Sequence, residues 1–545
     1  MSKTLLACAL AIAGLGNAAA ANIVIVNTDP AGSGLNDPTP ATPVGGNPGT
    51  TVGEQRRIVF QFAADQWGAI LQSNVDIRIN SSFASLDCDA GGGVLAQAGA
   101  LTAHANFPNA PVIDTFYNAA LANSLAGADL NTTTSDIQMT FQADLGEPDC
   151  IAGSGWYYGL DGITEDGKTN FLDTAMHEMG HGLNFQGRYN LANGAPPAAN
   201  RTDIYSRFVF DDATSKNWID MTNAERVIAA KADALVWTGG IVTSQTPLAL
   251  SERVDLFVTG DATGNFPLVT AGYGPVATPA NFTPGDIVYA NDGVAGAGTP
   301  AGTVNDGCEA MAPGSLTGKI ALVDRGFCSF KLKTLNVQAA GATGVIVANN
   351  VAAGFPGMGD DPAIVGTVTI PSIGITQAAG TTIKAGLPDG VNGALQPVPG
   401  QFAGADTAGR ARLYAPAVLA QGSSFSHFDV SMSPDAIMEP FDSPTTDANF
   451  RLDLTPALFR DVGWVLNQGN ATTRNGACNT GIKVFRQPGL IAGANLQAAD
   501  KLCRRSNVGN TFGYRSCVNS FVARLAVVDL IPDAQAPAIK VCTIR

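Results

Sequence analysis

The stretch FLDTAMHEMGHGLNFQG (171–187) decides how this chain is read. His177 and His181 stand four residues apart, with Glu178 beside the first. Positions four apart share one face of a helix, so both imidazoles can reach a single metal ion. Glu178 then leans toward a metal-held water and takes its proton as the water attacks a carbonyl. The flanks favour a helix over 165–187. Asn170 can cap it with Asp173 three residues on, and Asn184, which tolerates a left-handed conformation, can end it. A catalytic zinc takes three protein ligands and keeps one position open, so a ligand is missing from this stretch.

Two arrangements compete to supply it. In one, a glutamate on a downstream helix completes the set, and the candidates are Glu225 and Glu252. Neither has the acidic partner one turn on that would orient such a helix. In the other, a third histidine follows the helix break directly, but Gly187 occupies that position and Asn184 stands where a glycine is usual. The chain has four histidines: His104, His177, His181 and His427. His104 sits in a loop-like stretch and reads as structural. His427 lies in GSSFSHFDVSMSPDAIMEPFDSP (422–444), far downstream of His181. Its use as a ligand requires a domain-sized insertion between the two halves of the site.

That distal stretch is similar to the leishmanolysin-like metzincins, in which a third histidine is followed by a methionine turn. Here SHF supplies His427 and AIMEP supplies Met438. The resemblance implies that His177, His181 and His427 hold one catalytic Zn2+, that Glu178 is the general base, and that Met438 forms the floor beneath the metal. Asp429 is a fallback ligand or a partner to an imidazole. The segments GEQRRIVFQFAADQWGAIL (53–71) and LDLTPALFRDVGW (452–464) look like further parts of the same family.

From about 268 the texture changes to short β-rich runs between Gly and Pro turns, among them IVYAN, KIALVDRG, TGVIVANN and TVTIPSIGI. GKIALVDRGFCSFKLKTLNVQAAGATGVIVANN (318–350), with IPSIGITQAAG downstream, resembles protease-associated (PA) domains, which occur inserted in or appended to secreted proteases. That resemblance implies a Cys308–Cys328 disulfide. A Cys88–Cys150 bond and two bonds among the last four cysteines are expected alongside it.

The rest of the composition bounds the reading. A net charge of −15 argues against nucleic-acid and anionic-membrane partners. The N-terminus has the form of a secretory signal peptide, and no internal run is long and apolar enough to span a bilayer. Removal of that peptide leaves eight cysteines, an even set that favours disulfides in an exported chain. Calcium sites are possible but have no readable signature.

The expected fold is α+β: a metzincin-like zinc protease domain split by a β-rich PA insertion, followed by a small disulfide-stapled helical region. Its expected parts are a signal peptide (1–21), an N-terminal protease part (22–267), the PA insertion (268–400), a C-terminal protease part (401–467) and a Cys-rich end (468–545). The expected function is a secreted or periplasmic, monomeric zinc endopeptidase acting on protein or peptide substrates. The alternative is an exported, non-catalytic binding or adhesion protein that uses the PA-like module, with its zinc structural or absent.

Overall fold

The structure is a computed structural model describing residues 20–296, 302–352, 354–387, 390–443 and 445–542. All but the last two residues of the expected signal peptide lie outside this set. The chain forms two compact units. One comprises the chain up to Ser251 and from Gly404 onward; the other is Glu252–Ala403. Together they make a mixed α/β architecture.

The first unit begins with strand β1 (Ile23–Asn27), helix α1 (Val52–Ile70) and strands β2 (Ile77–Ala84) and β3 (Ala96–Ala100). Helix α2 (Ala119–Ala126), strand β4 (Ile137–Gln142) and helix α3 (Phe171–Gly182) follow. The sheet order is β1-β2-β4-β3, with the first three parallel and β3 antiparallel at the edge. Thr51 caps α1 by accepting from the Glu54 N–H. The helix buries Val59, Phe60, Phe62, Ala63 and Trp67, and Trp67 Nε1 donates to the Met176 carbonyl of α3 at 3.1 Å. Phe171, at the start of α3, meets Phe60 and Phe141 edge-on with ring centroids 5.1 Å apart. The metal-motif helix is thereby pinned between α1 and the sheet.

The helix is shorter than the 165–187 expected from the flanks. Asn170 Oδ1 accepts from the Leu172 and Asp173 N–H groups and so starts it at Phe171. Thr169–Asn170 instead pairs with Trp156–Tyr157, the only strand residues of SGWYYGLDG. Short helices α4 (Asn223–Ala229) and α5 (Gly240–Ala249) precede the second unit.

The second unit is a closed seven-stranded barrel. Its strands are β5 (Glu252–Gly260), β6 (Gly264–Thr270), β7 (Gly285–Tyr289), β8 (Ile320–Asp324), β9 (Gly344–Ala348), β10 (Ser372–Ile375) and β11 (Val391–Phe402). The ring runs β5-β6-β10-β9-β8-β7-β11, and β7 to β10 are parallel neighbours. Helices α6 (Phe330–Ala339) and α7 (Gln377–Gly386) accompany the parallel strands. Successive strand residues serve different cores: Ile320, Leu322 and Ile346 pack in one cluster, and Ala321, Val323, Val345 and Val347 in another. Burial on both faces explains why these strands read as unbroken apolar runs. The unit begins at Glu252 rather than near 268, because the β5–β6 hairpin closes the barrel and β5 pairs along β11.

The C-terminal part returns to the first unit with α8 (Thr455–Val462), the hairpin β12 (Asn470–Thr473) and β13 (Cys478–Lys483), and helices α9 (Ala492–Ser506), α10 (Thr511–Val527) and α11 (Ala536–Cys542). The expected Cys-rich region is no separate appendage. Lys501 and Arg505 of α9 both pair with Asp65 of α1, and Phe521 stacks on Phe62. Disulfides join Cys88 to Cys150, Cys308 to Cys328, Cys478 to Cys542 and Cys503 to Cys517. Four such bonds fit an oxidising compartment. Among the described residues, no helix is long and apolar enough to cross a membrane.

Candidate metal centre

Helix α3 presents His177 and His181 on one face, with their Nε2 atoms 3.1 Å apart. The sharp end of the helix comes from Asn184, which adopts φ +95° while its side chain accepts from the Asn118 N–H. Past this turn, Gly187 leaves room for the segment that carries the third histidine. A Cβ there would lie 2.3 Å from the Phe425 ring, and the Gly187 N–H donates to Ser426 Oγ. His427 follows, and its Nε2 stands 3.2 Å from both other Nε2 atoms. The structure thus brings together three histidines 246 residues apart in sequence at the widest adjacent gap.

Each imidazole uses its other nitrogen on a backbone carbonyl. His177 Nδ1 bonds the Ile437 carbonyl at 2.6 Å, His181 Nδ1 that of Phe185 at 2.9 Å, and His427 Nδ1 that of Ser423 at 2.7 Å. A carbonyl only accepts, so each Nδ1 carries the proton and each Nε2 is left as a bare lone pair. Burial holds all three rings neutral, lowering His177 to about 4, His181 to about 3 and His427 well below its ordinary value. Three lone pairs facing one another without a proton between them repel unless a cation sits among them. Three Nε2 donors about 2.0–2.1 Å from a tetrahedral zinc would be about 3.3 Å apart, close to the spacing seen. The residues present therefore fit a metal ion.

Glu178 is 5% exposed, and its Oε2 has no hydrogen-bond partner. Burial pushes its carboxyl up to about 8. Met438 is fully buried against the same helix: a Cβ on Gly180 would meet its sulfur at 2.6 Å. The Phe428 N–H donates to the Met438 carbonyl, tying the methionine turn to the residue after His427. The three histidines and Glu178 border a cleft of about 580 Å3, which is also lined by residues 93–98, leading into and including the start of β3, and by residues 421–423, 437 and 439–442.

Other candidates stand elsewhere. Asp429 does not reach an imidazole; its carboxylate accepts from the Ser431 N–H and hydroxyl, and carbonyls take the place expected for it. Glu225 closes a capping box with Thr222 and pairs with Lys216. Glu252 lies on a strand, not a helix. His104 pairs within a short strand beside Tyr117. The three carbonyl acceptors and the Gly180 contact were not among the sequence candidates. Backbone oxygens carry no side-chain signature, though Gly180 was visible as the small residue inside HEMGH.

Residues 283–383 match the family described as PA domain. No curated protein matches the chain in sequence. Among solved structures, the chain is similar in part to a zinc aminopeptidase from Bacillus subtilis, at 22% identity and a TM-score of 0.19, covering 30% of this chain and 37% of that one. An aminopeptidase from Aneurinibacillus sp. strain AM-1 shows 19% identity, a TM-score of 0.19 and coverage of 30% and 38%. The subtilisin-like protease Apa1 from Pseudoalteromonas sp. AS-11 shows 21%, 0.19 and coverage of 30% and 35%. The chain spans well under half of each of these proteins. Within the barrel unit, residues 283–383 are a PA domain.

Proposed function

We propose that the chain is a secreted zinc endopeptidase of the leishmanolysin-like metzincin type, its protease domain interrupted by the PA-containing barrel. One observation carries this reading: three neutral imidazoles aim bare Nε2 lone pairs at one point, with an unpartnered carboxylate, Glu178, next to the first. His177, His181 and His427 would hold the ion. A bound zinc would supply a Lewis acid and make a water molecule acidic near neutral pH. Glu178 accepts the proton of the attacking water and returns it to the leaving amine nitrogen. The carbonyls of Ile437, Phe185 and Ser423 fix the ring tautomers, and Met438 supports the helix under His177 and His181.

The cleft wall supports a peptide substrate. β3 is the sheet's edge strand, paired only with β4 among the described residues, and its residues 96–98 face the cleft. An extended peptide can add to such an edge through main-chain hydrogen bonds. The signal-like N-terminus and the four disulfides support export.

Metal content and casein cleavage, measured on the same preparations, test the proposal. The parent should carry one zinc per chain and cleave. His427→Ala should lose zinc, and Glu178→Gln should keep zinc while losing about 10²–10⁴-fold in rate. Two zincs per chain would favour a di-zinc exopeptidase instead. Full activity of Glu178→Gln would end the proposal.

A further inference from the structure

Charge is divided unevenly along the chain. Residues 468–545 hold ten Lys and Arg against three Asp, a net of +7, so the rest of the chain carries −22 of the overall −15. Within that end, residues 501–528 contain five cations and no carboxylate. Whole-chain charge argues against anionic partners, but that argument does not extend to this stretch. Exposed charges more than about 8 Å away are largely screened at physiological salt, so a local excess of cations acts on its own.

The stretch spans the hairpin of α9 and α10, and the structure gathers its charge near the tip. Cys503 and Cys517 staple the two helices just behind the turn. Within the turn, the Asn510 N–H donates to the Asn507 carbonyl, Asn507 Nδ2 to the Cys503 carbonyl, and the Gly513 N–H to Asn510 Oδ1, each at 2.9 Å. The tip is thus a braced projection rather than a loose loop. Lys501, Arg504 and Arg505 stand in the last turns of α9, and Arg515 stands early in α10. Arg504 pairs with Asp500, and Lys501 and Arg505 share Asp65. Both carboxylates are buried while the cations keep part of their surface in solvent, so the face that meets water is positive.

Two apolar side chains crown this tip. Val508 and Phe512 are 86% and 82% exposed, whereas α10 turns Tyr514, Val518, Phe521, Val522 and Leu525 inward. Phe512 therefore lies off the core face of its helix and contributes little burial to the fold. A valine and a phenylalanine held in water among cations are rewarded only in a complex that covers them. A polyanion such as nucleic acid would engage the cations but offers nothing to the valine. A second copy of the chain would bring like charges together. An anionic bilayer meets both demands, with lipid phosphates for the cations and acyl chains just below them for the apolar pair.

We propose that the α9–α10 tip docks this protein onto anionic phospholipid membranes: Val508 and Phe512 enter the interface, and Lys501, Arg504, Arg505 and Arg515 meet lipid phosphates. The docking is peripheral, since no described helix is long and apolar enough to cross a membrane. A wedge of two side chains with a few cations gives reversible rather than permanent attachment. It does not depend on the proposed hydrolysis.

Vesicle co-sedimentation tests it, using the full chain carrying Glu178→Gln so that it does not digest itself. The vesicles are phosphatidylcholine alone, or phosphatidylcholine with one third phosphatidylglycerol. The mixed vesicles should bind the chain at least ten-fold more tightly, and molar sodium chloride should remove that preference. Val508→Ser combined with Phe512→Ser, at two exposed positions, should weaken binding to the mixed vesicles at least ten-fold and leave the thermal melt unchanged. Arg504→Gln combined with Arg505→Gln should weaken it as much; if that pair does not fold, the salt titration reads the cations in its place. Phe512→Trp should add an emission that shifts to the blue when mixed vesicles are supplied. Equal binding to both kinds of vesicle, or an added emission that vesicles do not move, would overturn the proposal. So would undiminished binding by the folded double-serine variant, because cations alone would then hold the chain as they would hold any polyanion, duplex DNA included.

Discussion

At Gly180 a single hydrogen atom decides whether α3 and the methionine turn can meet. Alanine is the better helix former by about 1 kcal/mol, yet its methyl would lie 2.6 Å from the buried Met438 sulfur. Overpacking of this kind costs about 1–3 kcal/mol, so Gly180→Ala should be destabilising by about 1 kcal/mol net and should weaken metal retention, since Ile437 beside Met438 orients His177. Adding Met438→Ala should relieve the clash, which would appear in thermal melts as a non-additive double mutant. A second prediction concerns Asp136, 3% exposed and pushed up to about 6 by burial, against the N–H bonds it accepts. Its ordinary value is 3.8. Between about pH 4 and 6 the unfolded chain ionises first and binds fewer protons, so this group's stabilisation is lost as pH rises and is gone above about 6. Asp136→Asn should therefore flatten the decline of the urea midpoint across that window; an unchanged slope would rule out Asp136 as its source. The histidines were legible residue by residue, because two fall at helical spacing and the chain has only four. Their orienting carbonyls were not, because every residue has one.

At the scale of elements, legibility followed periodicity. α1 and α3 announce themselves through apolar spacing and capping residues, and the parallel strands through Val and Ile runs. The β5–β6 hairpin, ERVDLFVTG and GNFPLVT, mixes charge, Gly and Pro, and only its closure of the barrel makes it strand. The docking of α9 on α1 was equally hidden, because no local pattern names a partner helix. That contact gives a test. Asp65 is buried beneath the half-exposed Lys501 and Arg505. After allowance for solvent screening at the two cations, Asp65→Asn should cost about 1–2 kcal/mol, and high salt should narrow the difference between variant and parent. A salt-independent difference would point to packing instead.

At the scale of the molecule, the barrel enters and leaves through neighbouring strands. Glu252 pairs with Phe402 across β5 and β11, so the two ends of the unit stand about 5 Å apart. Replacing 252–403 by about four Gly or Ser residues should leave a folded remainder that still holds one metal ion, as elemental analysis would show. The excised barrel should fold alone around its Cys308–Cys328 bond. Failure of the shortened chain to bind metal would mean that the insertion helps shape the histidine cradle. The same layout has a consequence in time. The second and third imidazoles are separated by 246 residues of chain. At about 5–20 residues per second, a ribosome needs roughly 12–50 s to deliver His427 after His181. The three-imidazole set is thus incomplete until more than three-quarters of the chain has been made, and the insertion acts as a delay line between the first two histidines and the third.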